Sequence, residues 1–343
     1  MTVARSSSAF VNRVFCGLIC LLALLTPRLA FGQGCVVARG GGASSVADGT
    51  GYIPAKRWEL NVAYRNFRSD RHFVGDDEQK QRAALHNEVI NHSNLADVAI
   101  TYAWTQRLDL TFTLPFSWHD RSQVSSGVRS HTQAYGLGDI RLSASYWLLD
   151  PATTHRGNMS LGIGLKAPTG NAESKDTFWR ATGATIGYVD SSIQPGDGGW
   201  GATVEGQAFY HLWGNFSAYG NGFYLFNPEE QVDATGWSIP DGYMVRGGVD
   251  YRVDAVKGLV ANLGMRNEGV VAHDLFGSSL GRRRPGFAVS VEPGLSYGRG
   301  SYTFTLTVPI AMHRNRVVSY GSAKAGDAAF ADYTINTALT VRY

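Results

Sequence analysis

The last stretch of the chain, Ala331 to Tyr343, reads A-D-Y-T-I-N-T-A-L-T-V-R-Y. Tyr333, Ile335, Leu339, Val341 and Tyr343 fall on one parity, and Thr334, Asn336, Thr340 and Arg342 on the other. A period of two in a run rich in β-branched and aromatic residues makes a strand with one apolar and one polar face. Such a strand is not stable alone, so the fold turns on whether the rest of the chain supplies partners for it.

The same period recurs upstream. From Arg57 onward the sequence divides into about twelve segments of roughly ten residues, the length a tilted strand needs to cross the apolar core of a bilayer. Trp58, Leu60, Val62 and Tyr64 share one face of the first. Val98, Ile100, Tyr102 and Trp104 turn through Thr105-Gln106-Arg107 into Leu108, Leu110, Phe112, Leu114 and Phe116, the clearest hairpin. Later segments centre on 140–148, 161–167, 200–210, 216–226, 243–253, 259–265, 287–297 and 302–312. The 216–226 segment is ambiguous, because Gly220 and Gly222 weaken one face while Tyr219 and Phe223 occupy the other. With the terminal strand the count is even, as in single-chain bacterial barrels. A final strand ending on an aromatic resembles the closing strand of such barrels, which the insertion machinery reads. We therefore expect an all-β fold, a transmembrane antiparallel up-and-down β-barrel over residues 57–343.

Residues 1–32 read as a cleaved signal peptide. Arg5 and Arg13 precede the uncharged run Val14 to Leu25, Pro27 breaks it, and Ala30-Phe31-Gly32 supplies small residues for a peptidase. Arg5, Arg13 and Arg28 are the only charged residues before Gln33, so removing them takes the formal charge from +3 to zero. A neutral chain without a basic stripe excludes nucleic acid as a partner. Cys16 and Cys20 leave with the signal, so Cys35 has no partner for an intrachain disulfide. Residues 33–56, rich in Gly, Ala and Ser, form either a flexible leader or a plug within the lumen. No later stretch is apolar for long enough to span as a helix, which a barrel does not require, because only every second residue of its strands meets lipid.

Connections near Gln106, Pro151, Gly214, Ala255 and Arg299 are short, and those around 67–93, 119–136, 169–198, 227–241, 268–285 and 313–330 are long. Short turns are periplasmic and long loops extracellular in bacterial barrels, which puts both termini in the periplasm and the protein in the outer membrane, in contact with lipid and lipopolysaccharide. Trp58, Trp104, Trp213, Tyr251, Tyr297, Tyr302 and Tyr343 then form a girdle at the short-turn rim. Pro115, Pro168 and Pro309 lie where a ladder can stop, and Pro293, in mid-strand, predicts a bulge.

The polar parity supplies the lumen. Asp109, Asp139, Arg141, Lys166, Glu205, Arg246, Asp250, Arg252, Arg266 and Glu292 all fall on it, either as ion pairs that stiffen the wall or as charges along a path. Gly162 and Gly164 point inward and leave room beside their strand, and Phe209, Tyr219 and Phe223 offer inward aromatic surface. Asp70-Arg71-His72 and His119-Asp120 sit where an omptin-like protease would hold its acid and base, but exposed loops are ordinarily full of such groups, and we expect no enzyme. Asp190 and Asp197 lack the spacing of a calcium loop, and neither metal nor cofactor is expected. Arg282-Arg283-Arg284 is read as a solvated charge run, with lipopolysaccharide phosphate as the alternative contact.

Several motifs go further. Ser69 to Phe73, Val89 to Ser93, Gly136-Leu137-Gly138-Asp139-Ile140 with Ser145 to Leu149, Lys166-Ala167-Pro168-Thr169-Gly170, Ile193 to Trp200, and Val308-Pro309-Ile310 through His313 to Arg316 resemble a family of exported barrels described as outer-membrane transporters of the phenol-degradation (MetA-pathway) type. The resemblance spans nearly all of the mature chain. It implies passive uptake of small aromatic or otherwise hydrophobic molecules and carries no agreed functional residues. The competing reading is a filled barrel with a structural or surface-binding role, and an outer-membrane hydrolase comes last.

Overall fold

The computed structural model describes residues 52–125, 127–322 and 326–343, so the expected signal peptide and most of the leader lie outside it. Twelve antiparallel strands make the wall: β1 (Trp58–Val74), β2 (Ile90–Ala103), β3 (Leu108–Ser125), β4 in two pieces (Val128–Leu137 and Arg141–Trp147), β5 (Gly157–Lys166), β6 (Gly201–Trp213), β7 (Phe216–Phe226), β8 (Gly242–Arg252), β9 (Leu259–Val270), β10 (Gly286–Arg299), β11 in two pieces (Tyr302–Thr307 and Ile310–Asn315) and β12 (Ala328–Arg342). Each pairs with its neighbours in sequence, and β12 returns to β1 with Glu59 opposite Arg342 and Phe73 opposite Ala328. That seam closes the sheet and leaves the wall no open edge.

The faces are inverted relative to a water-soluble protein. Ile163 is 69% exposed, whereas Glu292 is 0% exposed. Val62, Leu142, Val245, Met265, Phe304 and Leu339 also point outward, and Ser, Thr and charged side chains fill the buried set. Only a surrounding of lipid makes that arrangement favourable. The seven aromatics of the short-turn rim are all exposed, as a girdle at a membrane boundary requires. No helix among the described residues is long and apolar enough to cross a membrane. Both described ends of the chain meet at that rim, where the Tyr343 N–H donates to the Trp58 carbonyl at 2.9 Å. Gly258 shows why the turns there are tight: its φ is +88°, and a Cβ would sit 2.0 Å from the Gly298 carbonyl oxygen.

Two expected long loops are largely strand. β1 and β3 run for 17 and 18 residues, so 67–74 and 119–125 extend the wall above the apolar belt, and β4 starts at Val128. Register shifts at Phe67/Ser69 and Ser69/Arg71 carry the buried positions from Phe67 and Ser69 to His72, which breaks the alternation that would have marked a strand. The wall is therefore tall at β1 to β4 and low at β5, which has 10 residues.

The prolines explain the interruptions. Thr113 faces Arg141 and Phe116 faces Leu137, so Pro115 lies opposite the gap in β4, and its carbonyl accepts from the Gly138 N–H at 2.8 Å. Pro293 stays in register with Leu263. The bulge expected at Pro293 is instead a break in β11 at Val308-Pro309, with a register shift nearby at Val289/Ser290. Two residues without N–H thus meet across one gap in the ladder. Pro168 is the second residue beyond the end of β5.

Candidate functional site

The sequence-predicted lumen charges divide into two structures. The first is a row of ion pairs. Arg246 on β8 reaches Glu292 on β10 at 2.8 Å, Arg266 on β9 stands 3.7 Å from the same carboxylate and 2.8 Å from Glu268, and Glu268 accepts Arg65 of β1 at 2.6 Å. β1 and β9 are separated on the wall by β10 to β12, so this last pair ties distant parts of the cylinder together. Glu268 and Arg65 escaped the sequence reading, although Glu268 shares the inward parity of Arg266. Tyr219 lies over Gly264, whose Cβ would fall 2.5 Å from the tyrosine oxygen, and accepts from Asn262.

The second is a clasp on the β5–β6 connection. A hairpin (Lys175–Arg180 with Gly183–Tyr188) and a 3₁₀ turn (Ser191–Ile193) lead this connection onto the inner face of β3 and β4, where Val189 and Ile193 bury against Ala134. Asp139, in the gap of β4, accepts the Gly170 N–H at 2.9 Å and the Asp197 N–H at 3.0 Å. Lys166, the last residue of β5, pairs with Asp197. Thr169 donates to the Gly138 carbonyl at 2.8 Å and accepts from the Ile140 N–H. Gly170 and Gly196 touch so closely that a Cβ on either would lie within 2.6 Å of the other's backbone. Three motifs that carried the family resemblance, 136–140, 166–170 and 193–200, therefore meet in one place.

Higher up, Asp190 receives Arg284 through two contacts of 2.5 Å and Arg121 at 3.5 Å. Burial alone would raise its pKa, but the two guanidiniums outweigh it and hold the carboxyl well below the usual range. Arg283 is buried on Asp274, with its shorter contact at 2.6 Å. The expected solvated run at 282–284 is thus corrected: only Arg282 remains exposed, stacked over Trp237. Arg252 is also corrected, because as the last residue of β8 it stands at the rim and is exposed. The remaining predicted positions, Asp109, Arg141 and Glu205, line the central cavity, and Asp250 is half-buried on the same parity. His72 does not present a catalytic edge: Nδ1 faces Asp327 at 2.9 Å and Nε2 accepts the Val89 N–H at 2.8 Å. Among the described residues no group of three metal-ligating side chains occurs.

Among the described residues, cavities follow one another along the lumen. At the loop end is one of 420 Å³, beside Arg121, Asp190 and Trp237. Beneath the clasp is one of 120 Å³, also bounded by Trp237. Arg141 and Phe223 separate that from a central cavity of 260 Å³ lined by Glu59, Asp97, Asp109 and Glu205. Ile53 and Arg342 separate the centre from a 730 Å³ vestibule at the short-turn end. Tyr52 packs edge-on to Trp147 and Phe209, with centroids at 4.8 and 5.7 Å, and accepts from Asn158 at 2.8 Å. The described end of the leader is therefore seated in the barrel mouth.

No protein-family model matches the chain, and no curated protein matches it. Among solved structures it is similar to an outer membrane channel from Pseudomonas putida F1, with a TM-score of 0.59 and 14% identity over 85% of this chain and 97% of that one. The chain has the fold of an outer-membrane β-barrel. More distant likenesses are the β domain of the Bordetella autotransporter BrkA (TM-score 0.46, 11% identity, covering 84% and 100%) and the toluene transporter TodX of P. putida (0.43, 10%, 88% and 92%).

Proposed function

We propose that the barrel is a passive channel for small solutes, including aromatic or otherwise hydrophobic ones, with its termini in the periplasm and its long loops outside. The observation that carries this reading is the row of cavities, each sharing lining residues with the next from the loop end to the short-turn end. Wall pairs such as Arg246–Glu292 fix the diameter, while separate side chains divide the path, an arrangement suited to weak, multi-site passage. The short-turn end is assigned to the periplasm because short turns face that side in bacterial barrels. In planar bilayers the purified chain is expected to give small conductance steps that grow when Gln33 to Lys56 are deleted. A trace that stays closed after that deletion refutes transport and leaves the filled barrel, for which the Arg65–Glu268 tie is the favouring observation.

A further inference from the structure

The lumen's cations are almost all neutralised in place. Arg65, Arg121, Lys166, Arg246, Arg266 and Arg342 each have a carboxylate partner. Arg141 differs: it borders both the 120 Å³ and the 260 Å³ cavity, and its side chain makes no hydrogen bond or ion pair with any described residue. A guanidinium offers five N–H donors in a planar fork that matches a carboxylate. Its surroundings differ on the two sides. Below are Asp97, Asp109 and Glu205, which repel an anion, while Glu59 is neutralised by Arg342. Above, the formal charges of Asp139, Lys166 and Asp197 leave no excess positive field, and both Asp139 oxygens are occupied by backbone N–H groups. The rest of the upper cavity is lined largely by apolar groups, with Pro115, Phe223, Leu225, Val232, Trp237 and Val270 around it.

We infer that the upper cavity is a binding subsite for small apolar monocarboxylates, with Arg141 taking the carboxylate and Phe223 facing the apolar body. This rests on the channel reading and narrows it to a solute class. Size sets a limit, since a dry apolar cavity on the order of 150 Å³ holds benzene. At 120 Å³ the cavity is smaller than that, so a single ring or a short branched chain fills it completely and the charged group stands outside it at the floor, where Arg141 also borders the 260 Å³ cavity. The specificity comes from donors otherwise left unmatched: a ligand without an acceptor oxygen leaves them unpaired, and a neutral acceptor forms a weaker bond than a charged one. Release into the acidic central cavity keeps the binding weak, as a transit site requires.

The test is equilibrium binding of benzoate, benzamide and benzyl alcohol to the full chain in detergent, by titration calorimetry and by the ¹⁵N resonances of its arginine side chains. Benzoate is expected to bind at least about tenfold more tightly than either neutral ring, in line with one charge-assisted contact. Arg141→Gln should bring the three ligands level, Arg141→Lys should keep part of the preference, and Phe223→Ala should weaken benzoate while leaving the preference for charge. In the unaltered protein one arginine side-chain resonance should shift with benzoate and not with benzyl alcohol, which tests the site even where the Gln variant does not fold. Equal affinities in the unaltered protein, an unchanged preference in Arg141→Gln, or no benzoate-specific arginine shift each overturns the assignment. Binding retained in a chain that does not conduct overturns the channel reading alone, and conduction without benzoate preference overturns this subsite alone.

Discussion

Asp139→Ala removes both carboxylate oxygens from the clasp at once, and with them the acceptor of the half-buried Gly170 and Asp197 N–H groups, which now donate to it at 2.9 and 3.0 Å. A hydrogen bond to a charged group contributes about 1.5–3 kcal/mol, so even the lower figure for both amounts to about 3 kcal/mol. At about 1.4 kcal/mol per tenfold, the population with the β5–β6 connection released should rise on the order of a hundredfold. Asp139→Asn, which keeps one amide oxygen, should give a rise nearer tenfold. Hydrogen exchange of peptides covering 167–200 reads this opening directly, with peptides from β8 to β10 as the internal reference. Exchange of 167–200 in Asp139→Ala that stays within threefold of the parent, in a barrel whose reference peptides are unchanged, would refute the claim that this carboxylate holds the segment in the lumen.

Other substitutions probe the wall and the upper pins. Glu292→Ala removes the carboxylate partner of buried Arg246 and leaves Arg266 with Glu268 alone, and should lower barrel stability by about 3–5 kcal/mol, measured as a shift of the urea unfolding midpoint in detergent. Gly264→Ala drives a methyl into Tyr219 and the Gly247 carbonyl and should cost about 1–3 kcal/mol in the same assay, with Tyr219→Phe restoring part of it by withdrawing the oxygen. The Asp190 carboxyl has a folded pKa depressed below its unfolded value of about 3.9, so its contribution is complete above that value and is lost as pH falls through the folded pKa. Pinning of the connection by Arg121 and Arg284 should therefore be constant from about pH 7 to 5 and decline only below about pH 4. Exchange protection of 186–194 that already falls between pH 7 and 5 would contradict the pairing.

The period of two made the strands, the girdle and the inward set readable, because lipid outside and charge inside leave each residue only one acceptable face. Arg246, Arg266 and Glu292 were found that way, and parity alone placed Asp139 and Lys166 inside. Parity does not say which charges meet, so the Arg65–Glu268 tie across the lumen was invisible. It also fails where the backbone shifts register, which hid the upper half of β1 behind the bulges at Phe67 to Arg71. The inward course of 167–200 has no period at all. Its signal lay in composition: Gly170 and Gly196 leave their backbones in contact, and Val189 and Ile193 put apolar side chains on either side of the polar Asp190-Ser191-Ser192.

Trp237, the Arg141–Phe223 pair and the Ile53–Arg342 pair stand one behind another, and hindrances in series add like resistors. On the channel reading, widening one of them leaves the other two in the path, so single substitutions along the axis should raise conductance less than paired ones.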